Sequence, residues 1–134
     1  MAVAVLVPVP DAQHGLAVGC NHSDKGRHPH PEHGAEAAEA LCEELKGQEI
    51  GMGGSVTAAQ MGLPEKLEAA GCTVYARGRS WDRKETDKGV TAPVYVSSAN
   101  GVAETGELVN IDGTGNRVAA TLYGPEKVYF IVGL

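Results

Sequence analysis

The chain has 134 residues, which is enough for one domain of ordinary size with a modest core. Apolar residues make up 43% of the chain, as is typical of a globular protein, and the 18 glycines predict many tight turns. The net charge of −6 disfavours binding to the phosphate backbone of nucleic acids, and no apolar stretch approaches the roughly 18 residues that a membrane-spanning helix needs. We therefore expect a protein that neither binds nucleic acid nor spans a membrane.

The three cysteines, Cys20, Cys42 and Cys72, are widely spaced and odd in number. Such a set does not indicate a disulfide framework, so a reducing cytoplasm is the simpler location. The apolar start of the chain, residues 1–10, lacks basic residues and contains two prolines, which disfavours a secretion signal. We interpret Cys42 and Cys72 as small buried apolar residues in a helix and a strand.

Residues 1–34 differ from the rest and are predicted to form an irregular leader, whereas residues 35–134 form the folded domain. All the histidines of the chain lie in this leader, together with Cys20: His14, His22, His28, His30 and His33. Their spacing matches no closed zinc site, and no regular element holds them in place, so adventitious metal binding is the favoured interpretation. We assign no metal site and no cofactor.

From residue 35 the pattern becomes regular. Apolar residues at helical spacing predict a helix over residues 35–46, which Gly47 ends. A strand over 49–52 leads into glycines, Thr57 to Gln60 has capping-box spacing at a helix start, and Pro64 opens a further helix that Gly71 closes. A second strand follows at residues 73–75.

The second half continues the alternation. The charged residues 77–91 predict a solvated loop or a frayed helix, and residues 93–97 a buried strand. Two extended pieces follow, with a turn at Thr105 and Gly106, then a helix over 116–123 and a strong strand over 127–133. Strands that alternate with helices predict an α/β fold with a mostly parallel sheet covered by helices. A chain that stops directly after such a strand suggests that a C-terminal part is missing.

The first candidate site is residues 51–55, where Gly53, Gly54 and Ser55 lie between a strand and a helix. Small residues let backbone N–H groups converge, and a helix start adds partial positive charge, so a carboxylate or phosphate could bind there. No Gly-Lys-Ser/Thr sequence closes the segment, so it is not a P-loop. A tight structural turn explains the glycines equally well.

The second candidate site, residues 110–117, combines two glycines with an acceptor, an amide and a cation: Asp112, Gly113, Gly115, Asn116 and Arg117. Such a group can hold a carboxylate or a phosphoryl ligand. The alternative is that Asp112 caps the following helix and pairs with Arg117. Composition alone favours the cap.

Several segments together resemble a known family. They are residues 53–55 (GGS) with Gly62 and Leu63, then 97–101 (SSANG), 105–119 (TGELVNIDGTGNRVA) and 124–128 (GPEKV). They are similar to the LUD (lactate utilization) domain family from about residue 47 to the C-terminus. The resemblance implies an α/β fold like that of sugar-phosphate isomerases and CoA transferases. It also implies a role in oxidising lactate to pyruvate in a bacterial cytoplasm, alongside iron–sulfur partner subunits.

The chain departs from the family in three places. The leader does not resemble the usual helical start, the segment between Arg77 and Thr91 is short for the helix usually found there, and the family continues beyond this C-terminus. We therefore expect a C-terminally truncated member. On this basis Gly54 and Ser55 supply backbone donors to a small carboxylate or phosphorylated ligand, Arg117 clamps it, and Asn100 and Asn116 orient it.

Two other functions stay open. Class I CoA transferases, which share the fold, carry a nucleophilic glutamate where this chain has Ala99, so acyl transfer would need a displaced carboxylate such as Glu104 or Glu107. A non-catalytic accessory or assembly subunit, whose iron–sulfur partners perform the redox chemistry, is the other alternative. No general base can be assigned, because the histidines lie in the leader.

Overall fold

The computed structural model describes residues 31–76, 83–103 and 108–131. A four-stranded parallel sheet in the order β2-β1-β3-β6 forms the centre of the molecule. Its strands are β1 (Glu49–Met52), β2 (Thr73–Ala76), β3 (Val94–Ser97) and β6 (Lys127–Phe130). A short antiparallel pair, β4 (Gly101–Val102) and β5 (Leu108–Val109), forms a second sheet. The prediction of an α/β fold with a mostly parallel sheet is confirmed.

Five helices complete the described part of the chain. They are α1 (Pro31–Glu44), α2 (Val56–Gln60), α3 (Leu63–Ala69), α4 (Arg83–Thr91) and α5 (Asn116–Leu122). None of them is long and apolar enough to cross a membrane.

The helices cover both faces of the sheet, because successive residues of a strand point to opposite sides. Ile50, Val94 and Val96 pack with α1, α2 and α3 in the larger core. Tyr95 points to the other face, where Ala120 of α5 and Val90 of α4 contribute to a smaller core. Burial on two sides explains why all four residues of β3 are buried and why the strand has no polar alternation.

The boundaries of two predicted helices differ from those in the structure. The first helix begins at Pro31, four residues before its predicted start at 35 and inside the predicted leader, and Gly47 follows its end with φ of 73°. Proline is favoured in the first helical turn because its missing N–H needs no partner there. The predicted capping box at Thr57 is wrong: Ser55 caps α2, since its Oγ accepts from the N–H of Ala58 at 3.1 Å.

The charged segment forms a helix rather than a loop over residues 83–91, while residues 77–82 lie outside the described part. Gly89 of this helix packs against the sheet. The helix therefore has a buried contact, which the charge pattern of the sequence does not indicate. The rest of the leader, the turn at Thr105 and Gly106, and residues 132–134 also lie outside the described residues.

Candidate functional site at the carboxyl edge of β1 and β3

The carboxyl ends of β1 and β3 lie side by side, since the two strands are parallel neighbours. From β1 the chain moves to β2 on one side of the sheet, whereas β3 and β6 follow on the other. The strand order therefore reverses between β1 and β3. Open α/β sheets bind ligands at such a switch point, outside the carboxyl ends of the strands. We call the loops that follow these two strands, residues 53–55 and 98–100, the switch-point loops.

Gly53 and its two neighbours turn the chain from β1 into α2. The N–H of Gly53 donates to the carbonyl of Val96 at 3.3 Å, so it continues the sheet. A Cβ on Gly53 would lie 3.0 Å from Cγ and Cδ of Arg117, whereas one on Gly54 would meet nothing within 4 Å. The glycine at 53 is thus needed for the close approach of α5, and Gly54 is the open position of the turn.

Arg117 of α5 is buried and donates four hydrogen bonds within the protein. Its Nη1 donates to the carbonyl of Ser98 at 2.6 Å and to Oδ1 of Asn110 at 3.2 Å. Its Nη2 donates to Oδ1 of Asn100 and to the carbonyl of Ile111, each at 2.7 Å. The guanidinium therefore ties α5 to the loop after β3 and to the loop after β5. These contacts give Arg117 a tethering role, and the anion clamp stays a prediction.

Two asparagines flank the guanidinium. Oδ1 of Asn100 also accepts from the N–H of Ile111 at 2.9 Å, and the N–H of Asn100 donates to the carbonyl of Val109 at 3.0 Å. Asn110 begins the second candidate segment, residues 110–117, but was not named among its ligand-binding residues. The sequence signal that could have found it is its position: a polar residue directly after β5 and two residues before Asp112.

Asp112 caps α5 with its side chain. Its Oδ2 accepts from the N–H of Arg117 at 2.8 Å and of Val118 at 3.1 Å, and its Oδ1 accepts from the N–H of Thr114 at 3.3 Å. Burial tends to raise the pKa of Asp112, but these three backbone hydrogen bonds and the charge of Arg117 outweigh it and lower the pKa below its usual value of 3.8. The cap, which composition favoured, is what the structure shows.

The remaining predicted residues shape the start of α5. Gly115 has φ of 80°, a conformation that L side chains rarely adopt, and a Cβ on Gly113 would meet nothing within 4 Å. Oδ1 of Asn116 accepts from Oγ1 of Thr114 at 2.7 Å. The structure thus joins Gly53, Asn100 and Arg117 directly, with Asp112 beside them, and gives the others the geometry of a turn.

Other sequence hypotheses concern a displaced catalytic carboxylate, a metal site and the two cysteines of the folded domain. Ala99 lies partly buried against the smaller core, and Glu104 and Glu107 fall outside the described residues. Within residues 31–76, 83–103 and 108–131, no three His, Cys, Asp or Glu residues gather to form a metal site. Cys72 is buried and donates its S–H to the carbonyl of Leu45 at 3.1 Å, while burial raises the pKa of Cys42.

The comparison with family models settles the family. The model described as the LUD domain matches residues 30–134, which is most of the chain and includes every described element. The chain belongs to the LUD domain family. No curated protein and no solved structure matches this LUD domain. The matched region begins one residue before α1 and therefore includes the whole of this helix.

Proposed function

We propose that this LUD domain acts in lactate utilization in a bacterial cytoplasm, within the system that oxidises lactate to pyruvate. It binds a small carboxylate or phosphorylated ligand at the switch-point loops, and iron–sulfur partner subunits carry the electrons. Membership of the family supports the pathway. The observation that carries the ligand site is the convergence of Gly53, Asn100 and Arg117 at the switch point of the sheet.

A binding or accessory role fits the described loops better than acid–base catalysis does. In the described loops that follow β1, β3 and β5, and in the first turn of α5, the ionisable side chains are Asp112 and Arg117. Both bind groups of the protein itself: Asp112 caps a helix, and Arg117 holds two loops. The redox step is therefore assigned to the partners, and the LUD domain presents or senses the small acid.

A thermal melt with a panel of ligands tests the proposal. The panel consists of L-lactate, pyruvate, glucose 6-phosphate and CoA, each compared with sodium chloride at the same ionic strength. A ligand that binds only the folded state raises the midpoint by mass action, and at about 100 times its Kd it adds about 2.7 kcal/mol. We expect lactate, pyruvate or the sugar phosphate to raise the midpoint.

Gly54 offers a matched pair of variants that locate the site. It is exposed, has no positive φ, and has free space where a Cβ would stand. Gly54→Asp adds a negative charge at the turn and should reduce the ligand-induced shift, whereas the similarly sized but neutral Gly54→Asn should preserve more of it. Equal shifts in both variants would place the ligand elsewhere. A melt that no ligand moves would favour an accessory subunit that binds no small acid.

A further inference from the structure

The guanidinium of Arg117 determines how two side-chain amides are turned. Arginine has five N–H donors and no acceptor, so the amide atom that faces it has to be oxygen. Asn100 faces it with Oδ1 at 2.7 Å, and the second donor on that oxygen, the N–H of Ile111, requires the same orientation. Asn110 faces it with Oδ1 at 3.2 Å.

The directions of the amide N–H donors are consequently set as well. An amide group is planar, with one N–H on the edge that it shares with the oxygen and the other pointing away from the oxygen, so fixing the oxygen fixes the direction of both N–H donors. Asn100 is exposed and directly follows the two residues after β3, and Asn110 is partly buried beside it. The exposed side chain of Asn100 thus carries N–H donors of fixed direction at the switch point.

The positive charge of Arg117 also acts on groups at the switch point that the guanidinium does not contact directly. Its four acceptors are uncharged oxygens, two from backbone carbonyls and two from amides. Dipoles that solvate a charge do not cancel it, and a partly buried charge is less screened than an exposed one. After the three backbone hydrogen bonds to its carboxylate, the charge of Arg117 is a further cause that lowers the pKa of Asp112.

We propose that Arg117 is a positioning residue that aims the amide NH2 groups of Asn100 and Asn110 at the ligand, and that these neutral donors bind its oxyanion. The proposal rests on the proposed function, since it names the groups that recognise a carboxylate or phosphate at the same site. It differs from the sequence hypothesis in two respects: arginine does not touch the ligand, and Asn110 joins the site.

The variant Asn100→Asp separates an effect on ligand binding from an effect on the stability of the fold. The new carboxylate keeps an oxygen for Arg117 and for the N–H of Ile111, and a charged pair strengthens the first of these hydrogen bonds. The variant loses both N–H donors and places a negative charge beside the ligand. We expect a melting midpoint equal to or above that of the wild type, and affinities for L-lactate and inorganic phosphate at least about tenfold weaker by titration calorimetry. Gln60→Glu adds the same charge at an exposed position of α2 and should leave both affinities unchanged.

A double-mutant cycle tests the positioning role. Arg117→Lys keeps the charge but cannot reach the same four acceptors. If Arg117 acts through Asn100, Asn100→Asp will weaken binding much less in the Arg117→Lys background than in the wild type. Additive losses would mean that the two residues contact the ligand independently, which overturns the positioning role.

The outcomes distinguish this proposal from the one it rests on. Wild-type binding of lactate or phosphate with unchanged affinity in Asn100→Asp overturns the assignment of the amide donors and leaves the proposed function standing. Absence of binding of either probe by the wild type contradicts both. If Arg117→Lys fails to fold, the single variant Asn100→Asp still decides whether the amide donors bind the oxyanion.

Discussion

Gly51 shows how closely a single residue can constrain this fold. It lies in β1 against Gly89 of α4, and a Cβ built on it would stand 1.8 Å from the carbonyl oxygen of Gly89 and 2.8 Å from the ring of Tyr95. Its φ is not positive, so the constraint is space and not backbone conformation. The glycines of residues 51–54 therefore serve different purposes. Gly51 allows α4 to pack closely and Gly53 allows α5 to do so, whereas Gly54 has free space where a Cβ would stand.

Gly51→Ala should consequently destabilise the LUD domain by about 3 kcal/mol, because a backbone carbonyl cannot move aside as a flexible side chain would. Gly54→Ala is the control, since its new methyl group meets nothing within 4 Å, and it should change the free energy of unfolding by less than about 0.5 kcal/mol. Urea denaturation of the two variants measures the difference. Equal stabilities would show that α4 does not pack on β1 in this way.

At the scale of elements, α5 is the helix whose start organises the candidate site. The residue that precedes its first turn, Gly115, has no side chain to cap the free N–H groups. Asp112, three residues earlier, supplies the acceptor to two of them. A left-handed Gly115 and a distant carboxylate together replace the usual single capping residue.

This cap predicts a pH dependence of stability. The folded-state pKa of Asp112 is lowered from 3.8, so its contribution is complete above about pH 4 and is lost as the pH falls below that value through the folded pKa. Asp112→Asn should cost about 1 kcal/mol at pH 7 and less at pH 3, measured by urea denaturation at both values. Asp87→Asn is the control: Asp87 is exposed, with its carboxylate 3.9 Å from Nε of Arg83, and its loss should change little at either pH. A cost for Asp112→Asn that does not shrink on acidification would contradict the charged cap.

At the scale of the whole molecule, a hydrogen bond joins the last described strand to the first helix. The hydroxyl of Tyr129 in β6 donates to Oε1 of Glu44 at the end of α1, at 2.6 Å and across 85 residues of chain. Tyr129 also packs in the larger core. The bond therefore ties α1 to the edge strand of the sheet, on the face that α2 and α3 share.

Tyr129→Phe removes this hydrogen bond while retaining the ring, and should lower the free energy of unfolding by about 1 to 2 kcal/mol at pH 7. Burial and the neighbouring Glu44 raise the pKa of Tyr129 above 10.0. Its contribution is thus complete below pH 10 and is lost as the pH rises through the folded pKa, so the variant and the wild type should converge in alkali. Tyr123→Phe, at a residue that is 90% exposed, is the matched control and should leave stability unchanged. A similar loss in both variants would argue against the tie to α1.

The periodicity of the sequence by itself determined the class and order of the elements. Regular alternation of apolar runs with helical patterns predicted a mostly parallel sheet, and strands β1, β2, β3 and β6 begin within one residue of their predicted starts. Boundaries that depend on competing local caps were less predictable, since both Ser55 and Thr57 can cap a helix and the structure uses Ser55.

For the candidate site, the sequence supplied the residue types and the tertiary structure decided their use. Composition favoured Asp112 as a cap, a local contact within six residues. The use of Arg117 was not visible, because its acceptors include the carbonyl of Ser98, 19 residues away, and the side chain of Asn100, 17 residues away. Which carbonyls remain free for a guanidinium depends on which strands pair, and pairing is long-range. A sequence shows a donor and its reach, whereas only the folded chain shows which oxygens it meets.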